Sequence, residues 1–182
     1  MEFIETKIKG LLIVQPDVFE DERGYFFESF NHEKFLKGGL DMKFIQDNES
    51  KSRKGVLRGI HFQSPPFDQG KLVRVIRGSV MDVAVDIRKG SPTYGNWVST
   101  VLSEQNKRMF WIPSGFAHGF VTLEDDTVFF YKCTNVYDKG SEGSILWNDP
   151  DLGIDWGVKE PIISGKDKTS PLFKELKSPF TF

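Results

Sequence analysis

The chain has 182 residues, a formal net charge of −2 at pH 7 and an isoelectric point near 6.0. Nucleic acids and acidic membranes are bound by basic surfaces, so this charge argues against both as partners. The chain has no apolar run near the ~20 residues that span a bilayer, no basic-then-apolar leader, and a single cysteine, Cys133, which cannot form an intrachain disulfide. We therefore expect one cytoplasmic domain over residues 1–182.

The first predicted element is a short helix over Asn31–Lys37. Asn31 is a good N-cap residue, and Gly38-Gly39 ends the helical pattern. His32 lies at the start of this helix, and we expect its side chain to be solvated.

The next element is a strand over Leu57–Gln63, which Pro65-Pro66 ends because proline cannot donate ladder hydrogen bonds. Arg58 and His61 are separated by an odd number of positions, so on a regular strand their side chains point to opposite faces. They can face one site only if Gly59 lies at a bulge or bend, which glycine within a strand often marks.

Five further strands are predicted from runs of β-branched and aromatic residues between turn residues, at Leu72–Ile76, Gly78–Ile87, Trp97–Leu102, Met109–Ile112 and Thr127–Thr134. In the second of these, a period of two places Met81, Val83, Val85 and Ile87 on one face and Asp82, Ala84 and Asp86 on the other. Asp82 then points either to the lumen of a barrel or to solvent, and the sequence favours neither orientation. A turn or two of helix is expected from Asp167 onward.

The histidines restrict the chemistry, because there are only three: His32, His61 and His118. The segments around His61 and His118 resemble the two cupin motifs, with Gln63 in place of the second histidine of the first motif. A cupin metal site needs about three imidazoles and a carboxylate, so no metal is expected. A barrel pocket in which His61 can take up a proton near neutral pH remains.

Lys71 and Tyr131 complete a set suited to proton transfer beside a carbonyl group. Lys71 opens the strand after His61, so a hairpin-like return would bring its ammonium group near the imidazole. Forming an enolate requires a base, a cation or donor at the oxygen, and an acid that returns the proton. No dinucleotide-binding fingerprint or phosphate-binding loop is present, and no cofactor is expected.

The chain resembles the dTDP-4-dehydrorhamnose 3,5-epimerase family from about Val18 to Pro171. The resemblance is carried by an ordered set of motifs at Asp21–Glu28, Gln46–Asn48, Leu57–Gln63, Gln69–Arg74, Asp82–Arg88, Ile112–Phe120 and Glu142–Asp149. It implies a mainly β fold, a cupin-type double-stranded β-helix (jelly-roll) barrel with a few short helices. It also implies a cofactor-independent isomerase that inverts C3 and C5 of dTDP-4-dehydro-6-deoxy-D-glucose to give dTDP-4-dehydro-β-L-rhamnose.

The resemblance also assigns residue roles. His61 is implied as the proton acceptor, oriented by Asp167, with Tyr131 as the proton donor and Lys71 at the enolate oxygen. Tyr137 is implied to stack on the thymine, although many relatives carry a second tyrosine where this chain has Val136. The other implied substrate contacts are Arg23, Glu28, Gln46, Asp47, Asn48, Arg58, His118, Glu142 and Lys166. A homodimer is implied, with residues 1–50 shared with the partner.

Other functions are compatible with these residues. One is a single-centre epimerase or ketoisomerase acting on a related dTDP-sugar, and another is a non-catalytic cupin that binds sugar nucleotides. A metal-dependent cupin oxygenase is disfavoured by the histidine count. Individual contacts have plainer interpretations as well: Glu142 as a turn cap, Asn48 in an Asx-turn, and Arg23 in a surface ion pair with Glu22.

Overall fold

The computed structural model describes all residues, 1–182, and is dominated by short strands. The strands are β1 (Glu2–Glu5), β2 (Leu12–Gln15), β3 (Val18–Asp21), β4 (Gly24–Phe27), β5 (Gln46–Ser52), β6 (Val56–Gln63), β7 (Lys71–Arg77), β8 (Ser79–Asp86), β9 (Trp97–Ser103), β10 (Met109–Ile112), β11 (Phe116–Thr122), β12 (Thr127–Cys133), β13 (Glu142–Ser144) and β14 (Ile162–Ile163). The helices are α1 (His32–Lys37), α2 (Gly165–Lys168) and a 3-10 turn at Phe173–Glu175. The predicted mainly β fold with few helices is confirmed.

The strands form two large sheets and one isolated hairpin. The first sheet has the order β1-β2-β10-β7-β12-β5, and the second has the order β13-β6-β11-β8-β9, with β14 pairing in parallel with β6. The principal core lies between the two sheets and includes Val73, Phe110 and Phe129 from the first and Val80 and Phe120 from the second. Apolar side chains therefore fill this part of the barrel interior.

The outer face of the second sheet is also covered. Val83 and Val85 of β8 pack there with Leu57 and Trp156. Because both faces of β8 are buried, the solvent alternative for Asp82 is wrong: its side chain is fully buried on the lumenal face.

The predicted strands agree with the structure to within one residue at each end. Helix α1 begins after Asn31, whose Oδ1 accepts a hydrogen bond from the Lys34 backbone N–H at 3.2 Å. The C-terminal helix begins at Gly165, two residues before the predicted start, because Ser164 provides its N-cap. No helix has both the length and the apolar character that a membrane crossing requires.

The hairpin-like return from His61 to Lys71 is wrong. Strand β6 pairs with β11, β13 and β14, whereas β7 pairs with β10 and β12. The chain crosses between the sheets after Gln63, so β6 and β7 belong to opposite walls of the barrel. His61 and Lys71 consequently face a common cavity from two sides.

Strands β3 and β4 form a hairpin outside the two main sheets. Three of its aromatic side chains, those of Phe19, Tyr25 and Phe26, are 66%, 56% and 68% exposed. A single chain thus leaves an apolar hairpin uncovered.

Candidate active site

Two adjoining cavities open between the sheets. The larger has a volume of about 480 Å³ and the smaller about 250 Å³. His61, Lys71 and Tyr131 line both cavities, so they lie at the junction between them. Of the fourteen predicted site residues, eleven line one or both cavities; the exceptions are Arg23, Glu28 and Asp47.

A bulge in β6 places Arg58 and His61 in the same cavity. His61 is opposite His118 on β11, whereas Arg58 is opposite Phe120, so β6 has one residue more than β11 between these two pairs. The extra residue reverses the side-chain alternation. Gly59 lies at this point with a φ of +131°, and a Cβ there would lie 2.5 Å from the Gly119 Cα. The bulge or bend at Gly59 that Arg58 and His61 need in order to share a site is present.

His61 is paired with the buried carboxylate of Asp167. The His61 Nε2 lies 2.6 Å from the Asp167 Oδ1. Burial acts to raise the pKa of Asp167, but the hydrogen bond and charge of His61, with hydrogen bonds from Ser164 and the Gly59 backbone, lower it below its usual value. An ionised carboxylate only accepts hydrogen bonds, so Nε2 carries the proton and Nδ1 is left as the basic nitrogen.

Lys71 and Tyr131 come from the opposite sheet. The Lys71 Nζ is 5.9 Å from the centre of the Tyr131 ring and has no hydrogen-bond or salt-bridge partner in the protein. Burial lowers the pKa of Lys71, and nearby Cys133, Asp82 and Glu142 act against that effect. Burial and Cys133 raise the pKa of Tyr131, with Arg58 opposing them. The phenol therefore keeps its proton at neutral pH.

His118 belongs to a second buried pair on the same wall. Its Nε2 lies 2.9 Å from both carboxylate oxygens of Asp82, and its ring stacks on Phe129 at a centroid distance of 6.2 Å. The imidazole is held rigidly and borders the larger cavity. It can supply a polar contact there without moving.

Two cationic side chains border the larger cavity beside this pair. The Arg58 guanidinium donates to the Ser52 Oγ through Nε at 3.3 Å and Nη2 at 3.2 Å, leaving its remaining N–H groups available. The Lys166 Nζ lies 2.5 Å from the Glu142 Oε1. Together these groups can hold an anionic portion of a ligand.

The smaller cavity is bordered by amide and aromatic groups. The Gln46 side chain donates to Asn48 and accepts from the Tyr137 backbone N–H at 2.8 Å. The Tyr137 hydroxyl donates to the Glu142 Oε2 at 3.1 Å. The Asn48 Nδ2 also contacts the Cys133 Sγ at 3.6 Å. Amides of this kind can recognise a base edge, and an exposed ring can stack on its face.

Three predicted contacts lie outside these cavities in the single chain. Arg23 pairs with Asp21 at 2.5 Å, not with Glu22, and Glu28 bonds to Asn31 and Lys34. Asp47 points away from the lumen and pairs with Lys132 at 2.9 Å. The alternation of β5 accounts for Asp47, because Gln46 and Asn48 on either side of it point inward.

Sequence reasoning missed several residues that support the site. Ser52 positions Arg58, Ser164 caps the helix that carries Asp167, and Gln69 lines the smaller cavity. Uncharged and charged polar residues alternate from Gln46 to Ser52, and the uncharged ones are the less exposed; this alternation was a usable signal. No group of three or more His, Cys, Asp or Glu side chains is arranged to hold a metal ion.

Comparisons with known proteins agree with this geometry. The family model described as dTDP-4-dehydrorhamnose 3,5-epimerase matches residues 5–175. A protein of that name from Shigella flexneri is 55% identical over 92% of this chain and 93% of its own length. The crystal structure of a dTDP-6-deoxy-D-glucose-3,5-epimerase from Legionella pneumophila, in complex with dTDP-4-keto-L-rhamnose, is 48% identical with a TM-score of 0.95, covering 100% of this chain and 98% of that one. ChmJ, a 3'-monoepimerase from Streptomyces bikiniensis in complex with dTDP-quinovose, is 35% identical with a TM-score of 0.87, covering 92% and 85%.

Proposed function

The chain belongs to the dTDP-4-dehydrorhamnose 3,5-epimerase family, a family of isomerases with a cupin-type fold, and we propose that it inverts both C3 and C5 of dTDP-4-dehydro-6-deoxy-D-glucose. The product is dTDP-4-dehydro-β-L-rhamnose. One observation carries the assignment of residues: the His61–Asp167 pair and the Lys71 and Tyr131 side chains line one cavity from opposite sheets.

His61 acts as the base. Its Nδ1 removes the proton from the carbon next to the C4 carbonyl, and the electron pair of that C–H bond moves into the new carbon–carbon double bond of an enolate. Asp167 keeps Nε2 protonated and stabilises the imidazolium that forms. A positioned base of this kind contributes roughly 10²- to 10⁴-fold to the rate.

Lys71 stabilises the enolate. The negative charge develops on the C4 oxygen, and the Lys71 side chain has no partner of its own in the cavity. Burial lowers its pKa, but nearby Asp82 and Glu142 oppose that effect, and a developing oxyanion beside it would favour the ammonium form further. One well-placed donor at such an oxygen contributes about 3 kcal/mol to transition-state stabilisation.

Tyr131 returns the proton. Its pKa is raised by burial, so the phenol is protonated and can donate to the carbon as the enolate collapses. Inversion requires that the proton return to the face opposite the one from which it was removed. Tyr131 and His61 reach the cavity from opposite sheets, which supports this arrangement.

The nucleotide part of the substrate is assigned to the remaining lining residues. Arg58 and Lys166 suit the diphosphate, which is doubly charged and accepts bidentate hydrogen bonds. Tyr137, with Gln46 and Asn48, suits the thymine. His118 contributes a further polar contact beside the sugar-diphosphate region.

We further propose that the enzyme is a homodimer in which residues 1–50 are shared between subunits. Arg23 and Glu28 lie on or next to the exposed β3–β4 hairpin, outside the cavities of their own chain. Burial of the hairpin aromatics against a second copy would place both residues near the partner's site. The two sites of such a dimer are each completed by the other subunit.

The reaction is tested by incubating the protein with the 4-keto sugar nucleotide in D₂O and following both carbons by NMR. Deuterium at C3 and C5, with inversion at each, is expected. Deuterium at one carbon alone would select a single-centre epimerase, as the structural neighbour ChmJ, a 3'-monoepimerase, is described. No exchange at either carbon would contradict catalysis and favour a binding protein.

A further inference from the structure

Gln63 occupies the position at which the first cupin motif would carry its second histidine, and its side chain is 6% exposed. Every polar atom of the amide is engaged. Nε2 donates to the carbonyl oxygens of Phe67, at 2.5 Å, and Val136, at 3.1 Å, while Oε1 accepts from the Asp138 backbone N–H at 2.9 Å. Gln63 also lines the smaller cavity, but the hydrogen bonds of its amide are made within the protein.

The three partners belong to two loops. Phe67 lies in the loop between β6 and β7, whereas Val136 and Asp138 lie in the loop after β12. Val136 and Asp138 are the two residues on either side of Tyr137, so one buried side chain holds both neighbours of the exposed ring. The same loops are also joined by the Gln69 Nε2, which donates to the Asn135 carbonyl oxygen at 2.8 Å, and by the Asn135 Nδ2, which donates to the Pro66 carbonyl oxygen at 2.9 Å.

Tyr137 itself has little packing to fix its position, because 56% of its surface is exposed. Its own contacts are polar: the backbone N–H donates to Gln46, and the hydroxyl donates to Glu142. The ring's place at the mouth of the smaller cavity depends on how the loop backbone is tied down.

We propose that Gln63 is a positioning residue that holds the loop around Tyr137 in place, so that the ring is ready to stack on the nucleotide base. This inference rests on the proposed function in assigning the base to Tyr137. It goes further by giving Gln63 control of nucleotide affinity without a part in proton transfer.

The chemistry of the glutamine side chain fits this role and excludes its close substitutes. The site offers two carbonyl oxygens and one N–H, which require two donors and one acceptor on a single group. A glutamate would place an oxygen, in the position of Nε2, against both carbonyl oxygens. A histidine has two ring nitrogens and cannot serve three backbone groups at once.

The test is a double-mutant cycle on dTDP binding, measured by titration calorimetry with Gln63→Leu, Tyr137→Ala and the double variant. Tyr137→Ala should weaken binding roughly 10- to 100-fold, the usual effect of removing a stacked aromatic. Gln63→Leu should weaken it about tenfold, because the bonds that order the loop are lost. The double variant should bind about as weakly as Tyr137→Ala alone, since Gln63 acts through the ring.

The matched control is Gln15→Leu. The Gln15 side chain also bridges polar partners, donating to the Asn106 carbonyl oxygen at 3.1 Å and accepting from the Arg108 Nε at 3.0 Å, but it lies away from both cavities. Its replacement should leave dTDP affinity unchanged. Steady-state kinetics of Gln63→Leu should show a raised KM and a kcat within about twofold of wild type.

Additive losses in the cycle, or an unchanged affinity of Gln63→Leu, would overturn the positioning role. If Gln63→Leu fails to fold, Gln63→Met provides the same cycle with the side-chain length kept and no buried charge. A wild-type protein that binds dTDP but exchanges no deuterium would count against the proposed reaction only. A wild-type protein that does not bind dTDP would contradict both.

Discussion

At the scale of single residues, the environment gives each reacting group a different protonation state. Asp167, with a lowered pKa, is ionised and directs the proton of His61. Tyr131, with a raised pKa, keeps its proton. His61 and Asp167 are 106 positions apart in the chain. The roles proposed for these three side chains, as base, orienting carboxylate and acid, therefore depend on the folded protein.

Ser52 is expected to set the orientation of the Arg58 guanidinium. Ser52→Ala removes the oxygen to which Nε and Nη2 donate, so the side chain loses its fixed direction. We expect KM for the sugar nucleotide to rise roughly 3- to 10-fold, with kcat within about twofold of wild type. Steady-state kinetics measure both. Ser52→Thr, which keeps the hydroxyl, is the control, and equal KM values for the two variants would contradict this role.

The sequence showed which side chains are able to transfer protons, but it did not show which side chains contact one another. His61, Lys71 and Tyr131 were identifiable because an imidazole, an amine and a phenol suit proton transfer beside a carbonyl group. The link between Ser52 and Arg58 depends on how β5 lies beside the lumen, which no local pattern gives. Asp82 illustrates the same limit, because its parity on β8 was predictable but the burial of both faces of that strand was not.

At the scale of elements, the bulge in β6 determines which side chains reach the cavity. Gly59→Ala would bring its Cβ to 2.5 Å from the Gly119 Cα and 2.9 Å from the His118 carbonyl oxygen, at a φ of +131° that L side chains rarely adopt. We expect a loss of about 2–4 kcal/mol in unfolding free energy, with activity reduced further because His61 is displaced.

Chemical denaturation measures the effect of Gly59→Ala. Gly165→Ala is the control, because a Cβ at Gly165 meets nothing within 4 Å. A Gly59→Ala variant as stable and as active as the control would show that the bulge does not require glycine.

Asp86 closes the end of β8 with a buried cluster of hydrogen bonds. Its carboxylate accepts from Arg88, from Ser91 at 2.6 Å and from Thr93 at 2.6 Å. Burial acts to raise the pKa of Asp86, but these bonds lower it from 3.8 to about 2. The pKa is lower in the folded state, so the stabilisation is complete above about pH 4 and is lost as the pH falls through about 2.

Asp86→Asn should therefore lower the unfolding free energy by about 2 kcal/mol at pH 7 and flatten its decrease between pH 4 and pH 2. Denaturation curves across that range measure both effects. Asp151→Asn, at an exposed carboxylate, is the control. An unchanged acid dependence in Asp86→Asn would exclude Asp86 as its source.

Strand prediction succeeded for several strands whose composition and burial agree, but β11, which is buried along its whole length, was not predicted because Ala117, His118 and Gly119 interrupt its β-branched and aromatic residues. Apolar strands such as β7, β10 and β12 were predicted to within one residue. Strand β5 was missed because Gln46–Ser52 is polar on both faces, one lining the lumen and the other facing solvent. Its ladder with β12 supplies the stability that its own residues do not predict.

At the scale of the whole molecule, the two sheets bring His61 and Tyr131, the proposed base and acid, to one cavity from opposite sides. The sequence suggested that His61 and Lys71 are close but gave the wrong route, a hairpin, because pairing between distant strands is not encoded locally. The exposed β3–β4 hairpin is the other feature at this scale. It leaves Arg23 and Glu28 outside the site of their own chain.

Subunit complementation tests the shared site. Arg23→Ala and His61→Ala variants, each weakly active or inactive, are mixed under conditions that exchange subunits. In a mixed dimer, the site that keeps His61 receives Arg23 from the other chain. Activity should recover to roughly a quarter of wild type, because half of the dimers are mixed and each has one complete site. No recovery, with exchange confirmed by mass, would place Arg23 in its own subunit's site.

The central claim is that His61 is the base for both inversions. It is tested most directly by incubating His61→Ala with the 4-keto sugar nucleotide in D₂O and measuring deuterium at C3 and C5 by NMR, with dTDP affinity determined on the same sample. We predict no enzymatic exchange at either carbon and nearly unchanged dTDP affinity. Retained exchange at C3 or C5 would contradict the claim and assign proton removal at that carbon to another group.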